Sequence, residues 1–297
     1  MLMQMVNVLA PVAIITLIGY LMGRSKVGLE TRSLSTLVIM VATPSLIFHT
    51  LTSLHVAPAT IQVMSGAALF CMAVAGVMAL VLLLGLGKSV RSFLPPLMLP
   101  NSGNLGLPLV LLAFGPEGLQ LGIAYFFVVS LVQHTFGLSV YSGSLKLGLL
   151  ARQPLIYAVA AVIVVTWTGI QVPPVIATTA EMLGGMMIPA MLILLGASLA
   201  TLGVSDMGPA VLIAVSRLVI GVASALFVIW VLDFSGVMAG VVFLLASMPT
   251  AIVNYVLAER YNHNPRQVAG AIVASTVLTF ACLPAMLWVA LQIAQVP

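Results

Sequence analysis

Charge is what this sequence has least of. Only 5% of its 297 residues are Asp, Glu, Lys or Arg, while 62% are hydrophobic. A water-soluble domain carries about 25% charged residues, so this composition excludes one and points to a chain embedded in a lipid bilayer. The acidic residues are Glu30, Glu117, Glu181, Asp206, Asp233 and Glu259. All fall in loops or at the ends of apolar runs, so no carboxylate sits at mid-membrane depth. That argues against paired intramembrane aspartates, whether for cation exchange or for hydrolysis. Cysteine is nearly absent. Cys71 and Cys282 each lie within an apolar run and read as small packing residues, not as a disulfide framework or metal site. Neither H-E-x-x-H nor G-x-S-x-G occurs, so an intramembrane enzyme is disfavoured. No cofactor, metal or nucleic acid is expected. A non-transporting sensor is disfavoured too, because no hydrophilic stretch is long enough for a signalling domain. Residues 1–22 lack a basic start and an A-x-A site, so the first apolar segment reads as a retained span.

What is present is a series of apolar runs separated by turn residues. A helix needs ~20 residues to cross the hydrocarbon. The runs predict ten helices, over residues 4–22, 33–52, 61–86, 91–113, 120–144, 154–171, 179–201, 208–232, 236–258 and 267–293. The fourth and fifth are separated only by Gly115-Pro116-Glu117-Gly118, a good turn sequence. The basic residues test the count. Arg24, Lys26, Arg32, Lys88, Arg91, Lys146, Arg152, Arg260 and Arg266 all follow odd-numbered spans. The loops after even-numbered spans hold acidic residues only. By the positive-inside rule the basic face is cytoplasmic and both termini lie outside, as expected for a multi-pass protein of a bacterial plasma (inner) membrane. The loop after span 7, with Asp206 and no base, is the imperfect one.

The most informative stretch is residues 97–112, LMLPNSGNLGLPLVLL. Prolines, glycines and side-chain amides interrupt an apolar run. Non-helical backbone at that depth must be buried in protein or line a cavity, and interrupted spans in corresponding halves point to a transporter's binding site. A matching interruption occurs at Ser247-Met248-Pro249-Thr250, followed by Asn254. Pro44 in span 2 and Pro189 in span 7 make a second pair at a similar offset. Five spans is an odd number, so the second copy enters the membrane from the opposite side. The expected fold is all-α: ten transmembrane helices in two inverted five-helix repeats (1–150 and 151–297), with spans 4 and 9 broken. Two broken spans of opposite direction can meet at mid-membrane, each offering free N–H groups and a partial positive charge. Such ends suit an anion. Asn101, Ser102, Gly103, Asn104 and Pro108, with Pro249, Thr250 and Asn254, are the candidate substrate-binding residues. An unpaired amide in hydrocarbon costs about 4–8 kcal/mol on a cyclohexane scale, which makes sense of the cluster if a ligand or water completes its bonding.

Two ionisable residues lie within spans. Arg217 either attracts the anion or bonds to carbonyls exposed by a broken helix. His134, in Gln133-His134-Thr135, either titrates and couples a proton or is a neutral buried imidazole. His49 and His55 read as interfacial. Gly19-x-x-x-Gly23 and Gly236-x-x-x-Gly240 fit close helix packing.

These segments resemble the auxin efflux carrier family, especially its compact bacterial members. Pro11 with Gly19-Tyr20-Leu21 is similar to the family's first span, and Pro44-Ser45-Leu46-Ile47-Phe48 to its second. Asn101 through Pro108 is similar to its most distinctive segment, and Ile188-Pro189-Ala190 through Leu195-Gly196-Ala197-Ser198-Leu199 to its seventh span. Gln153-Pro154 departs from the family's frequent Asn-Pro, a difference expected to matter little at a span entrance. The resemblance implies a scaffold of spans 1, 2, 6 and 7 (1–55 and 152–203), with Pro44 and Pro189 at its helix breaks, that also forms a homodimer. It implies a transport part of spans 3–5 and 8–10 (58–148 and 206–297), with spans 4 and 9 crossing at the substrate site and an elevator-type motion. The implied function is a secondary carrier for a small organic anion, such as a dicarboxylate or an auxin-like carboxylate. A sodium-coupled organic-anion or bile-acid-type symporter of similar fold is the alternative.

Overall fold

The computed structural model describes residues 2–25, 29–53, 58–144, 148, 153–202 and 207–295. Lys26, His55, Lys146, Arg152 and Asp206 lie outside them. The described residues form helices and their connections, with no β-strand beyond one isolated bridge.

In chain order these are α1 (Leu2–Arg24), α2 (Thr31–Leu37), α3 (Thr43–Ser53), α4 (Pro58–Gly85), α5 (Val90–Met98), α6 (Leu107–Val132), α7 (Leu138–Ser142), α8 (Pro154–Thr168), α9 (Pro174–Gly185), α10 (Met187–Thr201), α11 (Met207–Val231), α12 (Gly236–Ala246), α13 (Val253–Arg260) and α14 (Pro265–Gln295). Three single π-helical turns interrupt them, at Val38–Ala42, Ser102–Gly106 and Gln133–Gly137. Local chemistry sets the boundaries. The Ser89 hydroxyl accepts from the Ser92 N–H to cap α5. Prolines begin α8 and α9, where the first turn needs no N–H donor. Gly143 and Gly169 close α7 and α8 in the left-handed conformation.

Seven helical stretches among the described residues are by themselves long and apolar enough to cross a membrane. The sequence leads to an expectation of ten, and the other apolar segments differ from these seven in specific ways. Residues 102–142 run as one stretch, but Gly115 (φ 67°, ψ −155°) reverses the chain inside it, at the turn expected from Gly115-Pro116. α8 is short, and α12 and α13 are halves of an interrupted run. Pro44 does not break its helix. The chain stays helical from Thr31 to Ser53 because the π turn ahead of the proline absorbs its missing N–H. At Pro189 the helix does bend: α9 ends at Gly185, whose carbonyl the proline cannot pair, and α10 restarts after Met186.

Packing falls into two groups. α1 lies along α10, and α3 lies against α8 and α9. α4, α5, α6, α11, α12 and α14 pack on one another. The α1–α10 contact is glycine-mediated. A Cβ at Gly19 would collide with the Ile193 carbonyl, one at Gly23 would stand 2.9 Å from Ala197 Cα, and one at Gly196 would collide with the Thr16 carbonyl. The second glycine pair behaves differently from the expectation. Gly236 has φ 62° and open space around its Cβ position, so it serves the turn into α12; only Gly240 makes a close approach, to Phe114 and Ala290. Cys71 is buried and Cys282 half-buried, both as free thiols. His49 sits near the end of α3, its Nδ1 3.3 Å from Ser53 Oγ.

Candidate functional site

The two interruptions meet. The Asn101 N–H donates to the Pro249 carbonyl at 2.7 Å, and the Ala251 N–H donates to the Leu99 carbonyl at 3.3 Å, an antiparallel bridge centred on Pro100 and Thr250. Breaking two helices inside a protein strands backbone carbonyls, and buried carbonyls need partners. Each acquires one. Pro96 would ordinarily receive an N–H from residue 100, but Pro100 has none; the Thr250 hydroxyl donates to it instead at 2.8 Å. Leu97 would receive the Asn101 N–H, which is turned to Pro249; Arg217 Nη1 donates to it at 3.0 Å. Ala246 would receive the Thr250 N–H, which donates to Ser275 Oγ at 3.3 Å; Arg217 Nη2 donates to Ala246 at 2.6 Å. Arg217 Nε completes the set with Met248 at 3.1 Å.

Arg217, 1% exposed, is therefore a clasp that binds the carbonyls of both interrupted helices at once. Of the two roles open to it from sequence, the geometry displays the carbonyl-bonding one, and the side chain does not line the cavity described next. Glycine at position 221 makes room: a Cβ there would lie 2.7 Å from the Ala246 carbonyl and 3.4 Å from Arg217 Nη1.

Beside the bridge lies a cavity of about 300 Å³, at the lower end of the range for small-molecule sites. Its floor is Pro100, Asn101, Ser102, Gly103 and Asn104, with Ala251 and Ile252 from the second interruption. Its walls come from both packing groups. Ser35, Thr43, Gln153 and Met191 stand on one side; Phe126, Ser130, Gln133 and His134 stand on the other, with Val253 and Val256 of α13. The Asn101 Oδ1 accepts the Asn104 N–H at 3.3 Å and so caps the turn that follows. Asn101 Nδ2 and Ser102 Oγ are buried without a partner. His134 Nδ1 lies 2.8 Å from the Ser130 carbonyl. Among the described residues, no Asp, Glu, Lys or Arg lines the cavity.

Asn101, Ser102, Gly103 and Asn104 are thus brought together on one surface. Pro108, Pro249, Thr250 and Asn254 are not part of it. Pro108 is buried in the first turn of α6, Pro249 and Thr250 form the bridge, and Asn254 is 0% exposed with neither amide atom bonded. Pro44 follows the lining residue Thr43, and Pro189 precedes the lining residue Met191. Sequence reasoning missed three things. It set Gln153 aside, yet this residue lines the cavity. It did not identify Ser35, Thr43, Phe126 or Ser130. It gave no hint that all three π turns contribute lining residues: Val38 and Ile39, Ser102 to Asn104, and Gln133 with His134. Such turns widen a helix and recur at functional sites. One signal was available, since Phe126, Ser130, Gln133 and His134 share a helical face.

The model for a family described as membrane transport protein matches residues 4–144 and residues 140–289. An "Uncharacterized transporter" of Methanothermobacter thermautotrophicus is 33% identical over 198 residues. That match covers 63% of this chain and 63% of the relative, so the chain spans less than two thirds of that curated protein. With interrupted helices joined beside a cavity and a family match over both halves, this chain belongs to the membrane transport protein family of auxin efflux carriers.

Proposed function

We propose that the chain is a secondary carrier for a small organic anion, working by alternating access. The observation that carries this reading is the cavity beside the bridged interruptions. Its lining includes Asn101 to Asn104 at the first turn of a helical segment, and among the described residues it holds no carboxylate to repel an anion. Helix N-termini and neutral donors are a sufficient anion site. The apolar lining, including Val38, Ile39, Phe126 and Leu155, suits the carbon body of the substrate.

In this reading the chain crosses the membrane ten times. Gly115 divides residues 102–142 into two crossings, α8 makes a short one, and α5 with the start of α6, like α12 with α13, makes one interrupted crossing. The halves are inverted repeats. The cavity lies on the seam between the two packing groups, so sliding the bridged group past the scaffold group would expose the site on alternate sides. The scaffold would carry the homodimer contact. Ser35, Gln153 and Val256 lie near helix ends that lead to basic loops, which makes this conformation open to the cytoplasm by the positive-inside rule.

The test is uptake into proteoliposomes of labelled mono- and dicarboxylates beside their neutral amides. Uptake of at least one anion and exclusion of its amide is expected. Equal passage of the amides would defeat the anion reading. A second reading, a sodium symporter, is favoured by one observation: Ser247 Oγ and Asn254 Oδ1 are buried oxygens with no partner near the second interruption. Uptake that persists undiminished without sodium removes it.

A further inference from the structure

We propose that His134 is the proton-binding partner of the substrate, so that each anion binds together with one proton. This deepens the anion-carrier reading and rests on it. The argument starts from charge. A negative group placed in a low-dielectric cavity needs a compensating charge or it costs several kcal/mol, and helix ends supply only about half an elementary charge. Among the described residues lining this cavity, His134 alone can become a cation. Arg217, the other intramembrane base, is committed to three carbonyls elsewhere.

The hydrogen bonding then fixes the chemistry. The Ser130 carbonyl can only accept, so Nδ1 of His134, 2.8 Å away, carries a hydrogen. In the neutral ring Nε2 is consequently a lone pair. That lone pair repels a carboxylate oxygen. Adding one proton from solvent at Nε2 turns it into a charged donor, which attracts the same oxygen. The bond to Ser130 is satisfied in both states, so the ring need not move. Anion and proton therefore favour one another at this site, and the linkage is reciprocal.

No neighbouring group on the described elements competes for this role. Arg32 on α2, His49 on α3, Glu117 and Tyr125 on α6, Tyr141 on α7, Tyr157 on α8, and Tyr255, Glu259 and Arg260 on α13 all lie outside the cavity lining. Tyr141 donates to the Ser92 carbonyl and Tyr255 to Glu259.

The experiment is calorimetric titration of the purified full chain with phenylacetate and with malonate, in buffers of different ionisation enthalpy, from pH 5.5 to 8.5. Imidazole ordinarily changes charge within that range. About one proton should be taken up per anion at the alkaline end, and affinity should fall by a factor approaching ten per pH unit there. With phenylacetate, which is ionised across the range, His134→Gln should take up none and show a flat pH profile; with malonate, whose second carboxyl titrates at the acid end, the same holds in the alkaline half. Should that variant fail to fold, NMR of histidine-labelled wild type serves instead: one imidazole should titrate at higher pH when the anion is present. Anion binding with no proton uptake and no shifted imidazole overturns the proposal and leaves the anion carrier standing. Failure of both anions to bind at any pH overturns the anion reading and this proposal with it.

Discussion

The two interruptions are alike in sequence and unlike in use. Each places a proline and hydroxyl or amide side chains in an apolar run. The first, around Pro100, places Asn101, Ser102 and Asn104 in the cavity lining. The second, around Pro249, turns its polar groups inward. Thr250 bonds Pro96 and Ser275, and Asn254 is enclosed. In the carrier reading proposed above, one interruption presents donors to a guest while the other braces the pair. The division follows from backbone needs. Two helices broken back to back strand carbonyls on both sides, and side chains spent on those carbonyls are not available to a ligand. Arg217 and Thr250 hold the Leu97 and Pro96 carbonyls of the first interruption, so the Asn104 amide is not drawn to them.

The largest expected effect comes from removing the brace. Arg217→Met keeps the bulk but leaves the carbonyls of Leu97, Ala246 and Met248 without donors. Each unpaired buried carbonyl costs about 1–3 kcal/mol. Thermal unfolding in detergent should show a loss of at least about 3 kcal/mol, while the fraction that folds keeps its pH-dependent anion binding. Normal stability with abolished binding would reverse the roles assigned to the two interruptions.

Removing a presented group should do the opposite. Asn104→Ala deletes an amide that faces the cavity and bonds to nothing within the described chain. Its stability should change by less than about 0.5 kcal/mol, as for substitutions away from packing and networks. Anion affinity should fall about tenfold, the loss of one hydrogen bond to a charged group. The pair Arg217→Met and Asn104→Ala thus separates bracing from binding by which of two measurements moves.

Much of this arrangement was legible in the sequence, for a local reason. Proline, glycine and amides have physical meaning wherever they stand in an apolar run, so the positions of both interruptions and the reversal at Gly115 could be read without coordinates. The direction a side chain takes is not local. Asn104 and Asn254 are the same residue in similar company, yet the segments that carry them pack differently, one against α6 and α10 and the other against α14, and only Asn104 reaches the cavity lining. Arg217 was ambiguous because Leu97, whose carbonyl it holds, is 120 residues away. The π turns were invisible because no residue pattern marks them: their positions depend on hydrogen-bond register, which is set by the whole fold.

Asn254 offers a sharper test of the comparison. Its amide is buried with both polar atoms unbonded. Replacing a buried polar group that lacks partners by an apolar group of similar size is close to neutral or stabilising. Asn254→Leu should therefore unfold at the same free energy as wild type or up to about 1 kcal/mol higher, with uptake intact. If the variant is stable but uptake stops, Asn254 serves the site in a different conformation. If uptake stops and sodium dependence vanishes with it, the second interruption is an ion site.

The smallest expected effect is at the rim. Gln153 precedes the proline that starts α8, and its side chain lines the cavity at the end nearest the basic loops. Gln153→Asn shortens that side chain by one methylene and keeps the amide. At the floor, Asn101 to Asn104 are fixed by a helical turn, so a misplaced amide is costly. At a solvent-reached rim, water can fill the gap at a cost of about 0–2 kcal/mol of immobilisation, and commonly near the lower end. Affinity should change by less than about threefold. A change beyond tenfold would mean that the rim is closed over the substrate when it is bound. The presenting surface would then extend from the first interruption to the start of α8, and the scaffold group would take part in recognition instead of only flanking it.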